Sequence, residues 1–328
     1  MADDLQGKKL LITGGAGMLG STIAIQAVAH GADVVVVDSM VPDLGGNLFN
    51  LDSVKDRIEF VRGDIRNADL MERLVKGVDV IFSLAAQVSY TDSQNDPLGD
   101  LDINCKGHLT ILEACRKLNK DALIIFSSSR FVYGSVEYLP VDEKHPYNCR
   151  SIYGIHKLAA EKYYELYYRA HGIRSISFRI PNPYGPRQQM KHGKYGIVNW
   201  FIRRAMEKHP LTVYGDGAQR RDYIYVEDFA DAMLAAIRCT DMVGEVFNIG
   251  CGEGTSFVDM VRLVAETVGD TKIEFVEWPA GRYFVETGDY LTDLSKLNGF
   301  LDWTPKISMQ EGIELTCEYY RRYQNHYW

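Results

Sequence analysis

Six short runs of almost unbroken apolar residues recur through the first half of the chain. They are KLLIT (9–13), DVVVVD (33–38), IEFVRGD (58–64), VDVIFSLAA (78–86), ALIIFSSS (122–129) and SISFRI (175–180). Rich in Val, Ile and Phe, they read as strands buried on both faces, hence as a parallel sheet covered by helices. Segments with helical patterning lie between them at 18–30, 67–76, 104–118 and 152–171. A strand–helix alternation of this length predicts an α/β, doubly wound parallel sheet. After Arg179 the pattern changes: prolines and glycines gather in RIPNPYGPRQQMKHGKYG, and a helix is expected at about 197–208. EVFNIGCG (245–252) reads as one more buried strand. The expected division is a first α/β part at 1–180, rejoined at about 225–252, and a smaller α/β part at 181–224 and 253–328.

A length of 328 residues suits one large or two intimate domains, and 46% hydrophobic with 24% charged residues suffices for a large core. The formal charge of -8 argues against nucleic acid or an acidic membrane as partner. Six cysteines are scattered without a C-x-x-C pair, which is neither a disulfide framework nor a zinc site; no metal is expected. The start, MADDLQGKKLLITGG, lacks the basic opening and long apolar core of a signal peptide, and no stretch approaches membrane-spanning length. These features predict a cytoplasmic protein in a reducing compartment.

LLITGGAGMLGS places Gly14, Gly17 and Gly20 directly after the first strand, with Met18 and Leu19 at the mouth of the first helix. Glycines there permit a tight turn and let backbone N–H groups approach a pyrophosphate, whose charge the helix N-terminus favours. Asp38 ends the second strand, where an acidic residue accepts from the adenosine ribose hydroxyls; it would repel a 2′-phosphate, so NAD is expected over NADP. Asp64 and Ile65, at the end of the third strand, either flank adenine or cap the next helix. Ala85 and Ala86 after the fourth strand are small enough to admit the cofactor.

SIYGIHK sets Tyr153 and Lys157 four residues apart on one helix face. A phenol with a pKa of ~10 is a poor base at neutral pH, but an ammonium beside it and an oxidised nicotinamide ring favour the phenolate. A serine from the SSS strand end (127–129) is placed to hold the substrate oxygen. The chemistry expected of this set is hydride transfer at a carbinol carbon.

The glycine turn, Asp38, the serine triplet, Tyr153 with Lys157, NPYGPRQ (182–188) and VYGDGAQRRDYIYVEDFADA (213–232) together resemble the extended short-chain dehydrogenase/reductase family, in its nucleotide-sugar epimerase and dehydratase branch. The resemblance runs over nearly the whole chain and implies a Rossmann-type sheet with NAD. It implies that Ser129 is the catalytic serine, that Tyr153 is the acid/base and that Lys157 binds the nicotinamide ribose. Ser127 then lies near the cofactor, and Asn104 supports the active-site lysine, or else simply caps its helix. It also implies that Asn182 and Arg221 meet the substrate diphosphate. Arg221 has the alternative of pairing with Asp222 or Glu227. Arg282 sits where relatives carry a second diphosphate arginine, although GRYFVETGD departs from their pattern. KYGIVNW lacks the asparagine that relatives carry near its start, leaving Gly196 or Asn199 to serve, and Tyr214 is a further substrate contact.

Dehydratases of the branch carry Thr-Asp-Glu before Val-Tyr-Gly, because eliminating water needs an additional acid and base. This chain has Ser129-Arg130-Phe131 there. Decarboxylating relatives also carry the glutamate that Phe131 replaces. The expectation is therefore an epimerase, acting at C4 through a transient 4-keto sugar. The alternatives are a 4-dehydrogenase or reductase that releases the keto-sugar, and a non-catalytic dinucleotide sensor. Arg130 meets either an anionic or heavily hydroxylated sugar, or solvent. The family further implies a homodimer joined through the helices at 104–118 and 152–171. The aromatic tail CEYYRRYQNHYW (317–328) is expected to be a packed last helix.

Overall fold

A computed structural model of the chain describes residues 5–269, 271–278 and 287–328. The apolar runs become β1 (Lys9–Thr13), β2 (Asp33–Asp38), β3 (Ile58–Arg62), β4 (Val80–Ser83), β5 (Leu123–Ser129) and β6 (Ser175–Ile180). With the strand Val246–Asn248 they form a seven-stranded parallel sheet, in the order Val246–Asn248, β6, β5, β4, β1, β2, β3. The period-2 geometry sends Leu10, Ile12, Val34, Val36 and Ile125 into the apolar layer on one face. Their neighbours Leu11, Val35, Val37, Ile124 and Phe126 enter the layer on the other. Each of these buried side chains contributes about 1.5–3 kcal/mol relative to exposure, which is why the strands carry no polar face.

The order reverses between β1 and β4, and ligands of such sheets lie at the carboxyl ends of the strands flanking that reversal. The helices are α1 (Met18–Ala29), α2 (Ala68–Leu74), α3 (Tyr90–Asn95), α4 (Pro97–Leu101), α5 (His108–Leu118) and α6 (Ile152–His171). The helix expected from 104 begins differently: residues 102–107 form a wide π turn, and regular α5 starts only at His108. At the start of α6, the Ser151 hydroxyl accepts from the Gly154 amide at 3.1 Å. At its end Gly172 adopts φ 71°, the left-handed conformation that stops a helix.

A separate apolar cluster gathers the helices Ile197–Met206, Phe257–Val268 and Met309–Tyr323 around Tyr184, Val213 and Tyr225. The aromatic tail packs as expected. Tyr320 is fully buried, and Tyr327 reaches Asn50 beside the first sheet at 2.5 Å. None of the described helices is long and apolar enough to cross a membrane.

Candidate active site

A cavity of about 810 Å³ opens at the carboxyl ends of β1, β2, β4 and β5 and runs into the second cluster. At one end is the glycine turn. Gly14 has φ 68°, and a Cβ there would stand 2.8 Å from the Ala85 Cα; at Gly20 a Cβ would stand 2.5 Å from the Gly14 carbonyl oxygen. Only a turn without side chains closes this tightly, and its lining is open backbone. Gly17, the N-cap of α1, offers no side-chain cap, which leaves the first amides of the helix to an anion. Asp38 accepts from the Ala16 amide at 3.1 Å and the Met40 amide at 2.9 Å, and burial holds its carboxyl above the usual range. Met18, Leu19, Asp64, Ile65, Ala85 and Ala86 line the same end. Asp64 is locally paired: Arg66 Nη2 lies 2.6 Å from Oδ2, and this contact lowers the carboxyl pKa. It does not cap α2, whose first amides are met by Asn67.

In the middle of the cavity the three serines diverge. Ser127 Oγ donates toward the Ser83 carbonyl at 3.5 Å and Ser128 Oγ to Glu161 Oε2 at 2.8 Å, while Ser129 Oγ accepts from the Phe131 amide at 3.3 Å on the side of the Tyr153 phenol. Tyr153 is anchored through its amide, which donates to Ser93 Oγ at 3.1 Å, and its ring meets the edge of Phe131. A Cβ on Gly154 would lie 2.6 Å from the Phe131 carbonyl oxygen, so the glycine lets α6 approach the serine loop. Lys157 is 1% exposed, with Nζ 4.5 Å from the Phe126 ring centre. Burial pushes the Tyr153 phenol up to about 12, against the pull of Ser129 and Arg130. Burial likewise brings the Lys157 ammonium down to about 7, opposed chiefly by the charge of Asp100.

Asn104 does not line the cavity. It lies buried one layer behind, with Nδ2 donating to the Gln87 carbonyl at 2.9 Å and to Asp100 Oδ2 at 3.1 Å. Arg130 does line it, buried rather than solvent-facing. Its guanidinium sits over the rings of Phe131 and Tyr290 and donates to Thr287 Oγ1 at 3.0 Å.

At the far end, Asn182, Tyr214 and Arg221 line the cavity. The Asn182 amide donates to the Asp222 carbonyl at 2.8 Å, and Arg221 is 7% exposed with Nη1 donating to the carbonyls of Arg220 and Gly288. The carboxylate of Asp222 accepts instead from the Cys251 and Gly252 amides. Glu227 faces Arg187. Asn199 is the misplaced residue. It is fully buried, its amide exchanges bonds with Gly185 N and O and meets Tyr320, and nothing of it reaches the cavity. Arg282 lies outside the described residues.

Sequence reasoning missed Trp278, whose ring lies 5.5 Å from Tyr214, and Tyr90, stacked on Phe131 at 5.2 Å. Neither stands in a motif, and only the fold brings them to the cavity. It also missed a strap. Lys191 and Lys194 pair with Asp43 and Asp92 at 3.2 and 3.0 Å, while His192 Nε2 and Tyr195 OH both meet the Asp43 carbonyl oxygen. The polar run MKHGKYG carried no sign of this, because the partners lie about 100 to 150 residues away.

A profile of the NAD dependent epimerase/dehydratase family matches residues 10–250. The chain belongs to that family. The UDP-glucose 4-epimerase of Thermotoga maritima, solved with UDP-glucose, is 33% identical, with 96% of this chain and 99% of that one covered at a TM-score of 0.88. The UDP-glucose 4-epimerase of Thermus thermophilus, solved with NAD, is also 33% identical and covers 95% and 99% at 0.85. The CDP-paratose 2-epimerase of Salmonella typhi is 34% identical over 336 residues, 93% of this chain and 97% of that protein. As a member of the epimerase/dehydratase family the chain uses NAD, and the bare glycine turn, the uncapped α1 and Asp38 fit that cofactor.

Proposed function

We propose that the chain is an NAD-dependent nucleotide-sugar epimerase acting at C4. The observation that carries this reading is the convergence of Ser129, Tyr153 and Lys157 on one cavity whose only described lining carboxylates are Asp38 and Asp64, both at the adenosine end. Elimination needs a further acid and base beside the sugar, and Arg130 and Phe131 supply neither. NAD, when bound, supplies the hydride acceptor and donor and the positive charge of its oxidised ring.

Tyr153 takes the proton of the sugar hydroxyl and returns it when the carbonyl is reduced. Ser129 donates to the oxygen as it becomes a carbonyl and holds the phenol in line. Lys157, on the same helix face, favours the phenolate through its charge. The burial that depresses Lys157 also excludes water from the transient 4-keto sugar. Asn182 and Arg221 are placed for the diphosphate, Arg221 through charge-assisted bonds. Tyr214 and Trp278 offer ring faces to the nucleoside base. Arg130 faces the sugar.

The proposed assembly is a homodimer through α5 and α6, supported by Ile155 and Leu166, which lie on α6 at 54% and 57% exposure. A cytoplasmic location is supported by the six free cysteines. The domain division at 180, with return near 225–252, is supported by the strand Val246–Asn248 joining the first sheet.

The test is incubation with UDP-glucose, UDP-N-acetylglucosamine and CDP- and dTDP-hexoses, with product analysis by NMR. Conversion to a C4 epimer without net NADH is the expected result. Stoichiometric NADH with release of a keto-sugar would replace the epimerase by a dehydrogenase.

A further inference from the structure

One buried acid beside the reacting groups has no part in the chemistry so far. Asp100, in α4, is 1% exposed. His156 Nδ1 lies 2.6 Å from its Oδ1, and Asn104 Nδ2 lies 3.1 Å from its Oδ2. An ionised carboxylate only accepts, so both nitrogens point their hydrogens at it. No Lys or Arg lies within ion-pair distance of Asp100 among the described residues. Both of its partners are tied to the catalytic helix or its support. His156 directly precedes Lys157, and its carbonyl accepts from Cys105 Sγ at 3.5 Å; Asn104 stands in the π turn beneath.

The charged and titratable groups around the pair come from every packed element. Lys157 is faced by Asp100 from α4, Cys105 from the π turn, His108 from α5, and Glu161 one turn further along α6. Burial pushes the Cys105 thiol up to about 11 and lowers the His108 pKa, so both are neutral at neutral pH. The charge of Glu161 is balanced by Arg179 at 2.5 Å. Tyr153 is faced by Ser129, Asp100 and Arg130. Asp100 is therefore the carboxylate without a Lys or Arg partner that acts on both members of the pair.

We propose that Asp100, oriented by His156 and Asn104, is a positioning residue that sets the charge state of the Tyr153–Lys157 pair. The inference rests on the acid/base reading of those two residues given above. An anion held in a buried site favours the ammonium of Lys157 and holds the phenol of Tyr153 protonated. The working form of the pair carries one proton, on the lysine, and its population is greatest midway between the two coupled ionisations. Removing the anion lowers the sum of the two, so the midpoint must move to lower pH. A residue that merely supported the helix would change stability or the height of the profile and leave the midpoint in place.

The experiment is the pH profile of kcat for the NAD-loaded enzyme with UDP-glucose, or with the member of the panel above that wild type turns over. Asp100→Asn preserves shape and keeps an acceptor for Asn104. Its optimum is expected about half to one pH unit below that of wild type. The acid and alkaline limbs of its profile are expected to move to lower pH together with the midpoint. If Asp100→Asn does not fold, His156→Ala frees the carboxylate to turn away and is read in the same way, with a smaller shift in the same direction. An unmoved optimum in the variants, while Lys157→Met and Tyr153→Phe abolish turnover, overturns this inference alone. Full turnover by Lys157→Met or Tyr153→Phe, or none of the panel by wild type, removes the acid/base reading and this inference with it.

Discussion

Ser128 and Glu161 are joined by a 2.8 Å hydrogen bond from the end of strand β5 to the middle of helix α6. Glu161 is held from its other side by Arg179 of β6, with Nε at 3.0 Å and Nη2 at 2.5 Å, and both side chains are at most 1% exposed. Glu161 lies four residues beyond Lys157, so this clamp fixes the helix face that carries Tyr153 and Lys157. Replacing Glu161 with Gln strands the buried guanidinium. The expected loss is about 3–5 kcal/mol of stability, read by denaturant unfolding. Ser128→Ala removes one bond to a charged group and should cost roughly 1.5–3 kcal/mol.

Tyr153→Phe keeps the ring against Phe131 and removes only the hydroxyl. Turnover should fall by about 10²–10⁴. Retention of NAD through gel filtration should be unchanged, because the glycine turn and Asp38 are untouched. Loss of cofactor together with activity would mean that the phenol is a binding group instead.

Lys157 carries its charge at a cost. Its pKa in the folded protein is about 7 against an ordinary 10.5, so between these values the unfolded chain binds more protons and stability rises with pH. Below about pH 7 both states are protonated and the full penalty applies. Lys157→Met should therefore be inactive, yet more stable than wild type by about 1–3 kcal/mol at neutral pH and below. Urea melts at several pH values should show that advantage fading as pH approaches ~10.

Asp38, proposed to meet the adenosine ribose, has its carboxylate bonded to the amides of Ala16 and Met40. Asp38→Ser removes the charge that opposes a 2′-phosphate. The ratio of NADP to NAD affinity should rise about tenfold or more, ~1.4 kcal/mol, measured by isothermal titration of stripped protein. An unchanged ratio would place the ribose elsewhere.

The sheet was legible because strands buried on both faces must be continuously apolar, and DVVVVD or LIIF can hardly be read otherwise. The placing of Tyr153 and Lys157 on one face of α6 was legible because their i, i+4 spacing survives in the sequence. What escaped lies where distant segments meet. Asn199 sits on a helix that lines the cavity elsewhere, yet its rotation toward Gly185 is decided by packing against Tyr320. The π turn at 102–107 turns Asn104 toward Gln87 and Asp100 behind the cavity, and nothing in DINCKG distinguishes it from an ordinary first turn. The partners of Asp43 come from a loop about 150 residues later.

That loop answers to salt more than to burial. Its bridges, Lys191 to Asp43 at 3.2 Å and Lys194 to Asp92 at 3.0 Å, join charges that stand largely in solvent, so added electrolyte screens them and loosens the tie between two distant segments while leaving the buried Glu161–Arg179 pair intact.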